Sequence, residues 1–342
     1  MLTSVTGHQN GLRLLLAILL AWGCAGTAAL ARPPAGAFIQ LTGGQTRKTS
    51  EQWDSTVKAM KGMGLDMVIV QWVAEVDATN VPSHSGVMLQ HIDAVEAIVS
   101  AAARENLSVI LGLEHDPNWW NEITAPPEVL RDYLLVRVSR QEILQKALLE
   151  RFGAETHWTG YYIADEIDDR SWRDPARQTI LRHYIALLQE RLRARDPART
   201  VGISAFYRGR TEPGITATNL VAVLAETGID HVLLQDGAGE KDPPAEYRTA
   251  YNQAFEAAWS EALPERWAVV ETFARTSDPS VRFAAGSAGP ERVLSQIADA
   301  APWAGRLIFF SFAHYMDPDS SAPAAKLYET LKSQYERTEE TE

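Results

Sequence analysis

A single cysteine in 342 residues, Cys24, leaves no partner for a disulfide, and no Cys-based metal site can be assembled from it. Basic charge is also scarce: 32 Lys and Arg stand against 44 Asp and Glu, a net charge of -12, which argues against nucleic acid as the main partner. No apolar run is long enough to span a membrane comfortably. Nor does the chain hold a phosphate loop, a His-x-His pair, a solenoid repeat or a low-complexity linker, so neither a metal nor an organic cofactor is expected. What remains is an ordinary apolar content of 46%, enough for a sizeable core, in a chain whose length suits one large domain.

The N-terminus reads as a targeting segment. Arg13 precedes the apolar run Leu14 to Trp22, and Ala29-Leu30-Ala31 fits a small-x-small cleavage pattern. Residues 1–31 are therefore expected to be a secretory signal, with a periplasmic or secreted destination. A lipid anchor at Cys24 is the weaker alternative, because Trp22 is bulky for a lipoprotein box. A short Pro-rich leader, residues 32–36, follows, and a charged tail, residues 336–342, is expected to fray.

Between them, residues 37–335 repeat one rhythm: a brief apolar strand, a loop, then an amphipathic helix. The strands fall at Ala37–Leu41, Asp66–Trp72, Ser108–Glu114, Gly160–Glu166, Thr200–Tyr207, His231–Asp236, Trp267–Phe273 and Arg306–Phe312. Runs such as Met67-Val68-Ile69-Val70 are continuously apolar, as parallel strands covered on both faces require. Helices are expected at Glu51–Met63 (capped by Thr49 or Ser50), His91–Glu105, Pro127 to about Arg151, Ala176–Arg195, Thr218–Thr227, Ala245–Ala262, Pro290–Ala300 and Ala322–Tyr335. Eight such units predict an α/β fold, a single (β/α)8 TIM barrel with a parallel eight-stranded core. The competing doubly wound sheet would more often carry a glycine-rich fingerprint after its first strand, where only Gly43-Gly44 stands.

In such a barrel the residues that close the strands gather at one mouth. The stretch from Thr159 to Asp168 is the most informative: a buried Tyr161-Tyr162-Ile163 strand runs straight into Asp165, Glu166 and Asp168. On period-2 alternation Glu166 shares a face with Tyr162 and Ala164 and points toward the barrel mouth. Asp168 and Asp169 are better read as turn or capping residues. Glu271 ends a second apolar strand, where an acid is rarely buried without a partner; a salt bridge to Arg275 or another loop arginine is its bland reading. Two carboxylates across one mouth are what glycoside hydrolysis needs, about 5–5.5 Å apart for retention and roughly 6.5–9.5 Å for inversion.

These residues resemble the plan of the clan-A glycoside hydrolases, with an acid near the end of strand four and a nucleophile near the end of strand seven. More narrowly, Ile39-Gln40-Leu41 before Gly43-Gly44, Trp53, the Asp66 to Trp72 strand, and Gly160 to Asp168 followed by Trp172 resemble a bacterial TIM-barrel family known as domain of unknown function 4434. That resemblance implies Glu166 as acid/base and Glu271 as nucleophile. Asp165 departs from the larger clan, whose acid usually follows an asparagine that binds the neighbouring sugar hydroxyl; an ionised aspartate accepts but cannot donate.

The remaining strand-end residues form an expected substrate-binding set: Gln71, Trp72, Glu114, His115, Trp119, Trp120, Asp165, Tyr207, Gln235, Asp236, His314 and Tyr315. Trp119 and Trp120 suit stacking against sugars, or a lid; Tyr207 and Tyr315 suit orienting the nucleophile; Glu114 is a third cavity acid or an arginine's partner. Trp53, Trp259, Trp303, His183 and His231 are expected to be structural. Loop cations Arg47, Lys48, Arg170, Arg173, Arg208, Arg210 and Arg275 pair with loop acids or else focus an acidic saccharide. The expected function is an exported, retaining glycoside hydrolase acting on a carbohydrate substrate; the alternative is a non-catalytic saccharide-binding barrel of a cell-envelope polysaccharide system.

Overall fold

The computed structural model describes residues 34–76, 91–240, 245–278 and 281–339. The expected secretory signal, Cys24 and residues 340–342 lie outside them. Eight parallel strands close into a barrel: β1 (Gly36–Ile39), β2 (Met67–Val70), β3 (Ser108–Gly112), β4 (Trp158–Asp168), β5 (Thr200–Phe206), β6 (His231–Gln235), β7 (Glu265–Glu271) and β8 (Arg306–Phe310). Closure comes from β1 pairing with β8, Gly36 opposite Ile308 and Ala37 opposite Phe309. The expected single TIM barrel is the fold found.

A helix follows each strand: α1 (Ser50–Gly62), α2 (Ile92–Arg104), α3 (Pro127–Phe152), α4 (Pro175–Arg195), α5 (Pro213–Leu224), α6 (Ala245–Ala258), α7 (Pro290–Ala300) and α8 (Ala322–Glu339). Local chemistry sets their starts. Thr49 and Gln52 form a reciprocal capping box on α1. Asp174 accepts from the amides of Ala176 and Arg177, and Pro175 takes the first position of α4, where a missing N–H costs nothing. By the same logic α5 begins at Pro213, earlier than the Thr218 expected from hydropathy. The last helix runs on to Glu339.

Strand alternation sorts the core into two layers. Phe38, Met67, Ile69, Ile110, Tyr162, Leu233, Trp267, Val269 and Ile308 fill the barrel interior. Their neighbours, among them Val68, Leu111, Ile163, Ile203, Leu234 and Val270, pack outward against the helices. Trp53 is fully buried there, and Trp259 and Trp303 flank the guanidinium of Arg266 at 5.5 Å each, structural roles as expected. His231 stacks on Trp267 at 3.8 Å at the start of β6, far from the carboxyl ends of the strands, and His183 is exposed on α4.

Candidate active site

The inner row of β4 passes from Tyr162 through Ala164 to Glu166, and the inner row of β7 from Trp267 through Val269 to Glu271. Both glutamates thus lie in inward-facing rows at the carboxyl end of the barrel. Gln235 ends the corresponding row of β6 and reaches past β5, its Nε2 donating to Oε1 of Glu166 at 2.7 Å. Gln71 extends the inner row of Met67 and Ile69; its Oε1 is buried and has no hydrogen-bond donor among the described residues.

Burial pushes the Glu166 carboxyl above its usual range, against the opposing pull of the Gln235 amide and the Arg208 guanidinium. Glu271, 4% exposed, is pushed up to about 8, first by burial and then by the neighbouring Asp236 carboxylate. The backbone N–H of Gly239 donates to its Oε2. Only glycine allows this approach, since a Cβ there would sit 2.9 Å from that oxygen and 2.6 Å from the Phe273 ring. Among the described residues no arginine forms an ion pair with Glu271 in the way its bland reading required. Arg275 binds Glu240 instead, and Arg292 donates to the carbonyl oxygens of Glu271 and Phe273.

Five expected binding residues lie elsewhere, and alternation explains most of them. Asp165, Tyr207 and Asp236 occupy the outward rows of β4, β5 and β6 or their continuations, behind the strands. Asp165 accepts from Arg137 Nη2 at 2.7 Å and from the Tyr184 hydroxyl; its accepting oxygens are therefore taken up by α3 and α4, not by a sugar. Tyr207 stacks on Tyr251 at 4.0 Å. Asp236 accepts both contacts of the Gln296 amide at 3.0 Å.

Glu114 would face inward by simple alternation from Ile110. Beyond Gly112, however, the chain leaves the barrel ladder to pair Glu114–His115 with Ala74–Glu75, and Glu114 turns outward to Arg137 and Arg140. Trp119 is buried against Trp172 and Tyr133 and donates its Nε1–H to the Glu166 carbonyl at 3.1 Å, so it supports the glutamate's backbone instead of stacking on a ligand. Asp168 accepts from the amide and hydroxyl of Ser171, and Asp169 from the Arg210 amide, turn roles as expected.

The rim keeps the other aromatics. Trp72 stacks on His115 at 4.5 Å, and burial holds the imidazole pKa below its usual value. Trp120, 41% exposed, meets the edge of Phe206 at 5.5 Å. On the far side, His314 contacts the Thr42 hydroxyl at 3.3 Å, and the Tyr315 ring lies 5.6 Å from Phe273. Phe206, Arg137, Gly239 and Arg292 were not singled out by the sequence. A signal for Arg137 existed: Arg137, Gln141 and Gln145 recur at helical spacing on the buried stripe of α3, where polar groups need partners.

Residues 35–322 match the family described as domain of unknown function (DUF4434). The chain belongs to that family. A member of the curated proteins, uncharacterized protein YbcH of Escherichia coli K12, is 29% identical over 219 residues, covering 64% of this chain and 70% of that one. Solved structures with a similar fold include a candidate α-L-fucosidase from Bacteroides thetaiotaomicron, with a TM-score of 0.71, 17% identity, and 89% of this chain and 93% of that one aligned. An endo-1,4-β-mannanase from Rhizomucor miehei aligns with a TM-score of 0.56 at 13% identity, over 90% of this chain and 96% of that one. A GH113 β-1,4-mannanase gives 0.55 at 12%, over 89% and 98%. At such identities the likeness is one of fold alone, the closed eight-stranded barrel.

Proposed function

We propose that this protein is an exported glycoside hydrolase that cleaves a polysaccharide or oligosaccharide through two carboxylates with retention of configuration. The observation that carries this reading is the pair Glu166 and Glu271, each in an inward row at the carboxyl end of strands four and seven. Glycosidase-type barrels among the fold neighbours support it. The apolar run from Leu14 to Trp22 supports export.

In the forward step Glu271 attacks the anomeric carbon while Glu166, its pKa raised by burial, gives its proton to the departing glycosidic oxygen. Water then attacks the anomeric carbon of the glycosyl-enzyme ester as the Glu166 carboxylate takes a proton from that water, releasing the sugar with Glu271 a free carboxylate again. A nucleophile must be ionised, and Glu271 with a pKa of about 8 holds its proton at neutral pH, so that proton passes to solvent before attack. That same value favours a second reading, in which Glu271 is the proton donor and Glu166 the nucleophile.

Reducing-end assays of the full chain on neutral and acidic glycans, beside Glu166→Gln and Glu271→Gln, test the reaction. Hydrolysis lost in both variants, with binding retained, is the expected result. Binding without cleavage by the native protein would favour a saccharide-binding barrel. Azide added to the alanine variants assigns the roles. The acid/base variant yields a glycosyl azide of retained configuration, and the nucleophile variant one of inverted configuration.

A further inference from the structure

We infer that Trp120, Phe206 and Arg208 form a subsite for a sugar residue that carries a carboxylate, a uronate, beside Glu166. The proposal rests on the mouth being a saccharide site and narrows it to one chemical class.

Phe206 is in register with Asp168 of β4 on one side and Gln235 of β6 on the other, and Gln235 holds Glu166. The neighbouring inner residue of β5, Ser204, bonds the hydroxyl of Tyr162 inside the barrel, so alternation turns the half-buried Phe206 ring toward the mouth. Two side chains close on that ring. Trp120 meets it edge-on at 5.5 Å while leaving 41% of its own surface to solvent. Trp120 is held in place because its neighbour Trp119 is buried and anchored to the Glu166 carbonyl. Arg208 sets its guanidinium 5.1 Å from the Phe206 centroid.

Arg208 is marked out among the cations around the mouth by its seat over the Phe206 ring and its reach to Glu166. Lys48 is paired with Asp317 and Arg275 with Glu240, while Arg173 donates to the Arg210 carbonyl. Arg208 is exposed, with its contact to Phe206 and no ion pair among the described residues, and its charge reaches Glu166, opposing in part the upward push of burial on that carboxyl. The nearest acid in register, Asp168, spends both oxygens on Ser171. An exposed flat ring beside an unspent planar cation matches a sugar ring with a carboxylate at its edge, because the guanidinium fork fits carboxylate geometry. In a chain with net charge -12, a positive group placed beside the candidate acid also offsets long-range repulsion of such a substrate.

Calorimetric titration of the full chain with 1,4-linked oligogalacturonate, oligoglucuronate and oligomannuronate, each beside its carboxyl-reduced neutral counterpart, isolates the charge. At least one acidic chain should bind about fivefold or more tighter than its reduced form, the order expected of one partly exposed ion pair. Arg208→Gln and added salt should both erase that preference, and Trp120→Ala should weaken acidic and neutral chains alike. Equal binding of acidic and reduced chains, a preference that survives Arg208→Gln, or binding of none of them overturns the proposal. Assay of the same oligosaccharides for new reducing ends keeps the two ideas apart. Acid-selective binding without cleavage removes the hydrolase and leaves the subsite, whereas cleavage confined to neutral chains does the reverse.

Discussion

The Nε2 of Gln235 donates to Oε1 of Glu166 at 2.7 Å across an intervening strand, and the residue after Gln235 is the carboxylate that raises Glu271. One strand end therefore touches the electrostatics of both glutamates with opposite sign. The amide favours ionised Glu166, while Asp236 disfavours ionised Glu271.

Gln235→Leu removes the donor that stabilises the Glu166 carboxylate, so the Glu166 pKa rises further. If Glu166 is the acid, the alkaline limb of kcat/KM shifts upward with pH. A limb that stays in place or moves down would separate Gln235 from the proton donor.

Asp236→Asn removes the charge that repels ionised Glu271, and the carboxyl falls from about 8 toward the usual glutamate range. With Glu271 as nucleophile the acidic limb of the rate profile moves to lower pH. Carboxyl titration followed by NMR measures the same shift without a substrate.

The raised Glu271 value also links to stability. The unfolded chain loses this proton near pH 4.3 and the folded one only near 8, so the protonated side chain stabilises the fold fully at low pH. That contribution falls as pH rises through this window, by at most about 1.4 kcal/mol per pH unit. Glu271→Gln stays neutral throughout and should flatten this slope in urea unfolding measured between pH 5 and 9. An unchanged slope would mean that Glu271 is ionised at neutral pH.

Arg137, 1% exposed, binds Asp165 and Glu114 together. Arg137→Met leaves both buried carboxylates short of a partner and should cost about 3–5 kcal/mol. Denaturant unfolding measures it. A loss under 1 kcal/mol would mean that Arg140 and Tyr184 suffice alone.

Gly239→Ala forces a Cβ against Glu271 and the Phe273 ring, displacing the carboxylate that the Gly239 amide holds. Activity should drop by roughly a hundredfold with little change in melting temperature, as misplacement of a reacting group by about 1 Å can do. Full activity would separate this contact from the chemistry.

Most of the barrel is legible along the chain because each βα unit is a local pattern: an apolar run, a cap such as Thr49 or Asp174, and a helical stripe. The inward aim of Glu166 follows from the same local rule, since Tyr162 and Ala164 share its face. Applied one residue over, that rule also puts Asp165 behind the strand with Arg137, and the same holds for Tyr207 and Asp236. Glu114 escapes the rule because β3 ends at Gly112 and the chain turns into a separate pairing with Ala74–Glu75. Trp119 and Trp120 cannot be told apart by type, as both are tryptophan. One is buried under Trp172 and the other left on the rim by the packing of the one-turn helix Trp119–Glu122.

Period, capping and charge count, all properties of short stretches, were enough to set the eight-unit barrel and to turn Glu166 inward. Which acids meet an arginine and which meet the mouth was decided by contacts between residues far apart in sequence. Arg137 on α3 meets Asp165 on β4, Gly239 meets Glu271, and Gln235 meets Glu166. A carboxylate's charge state depends on the burial and donors around it, and those exist only once the barrel has closed.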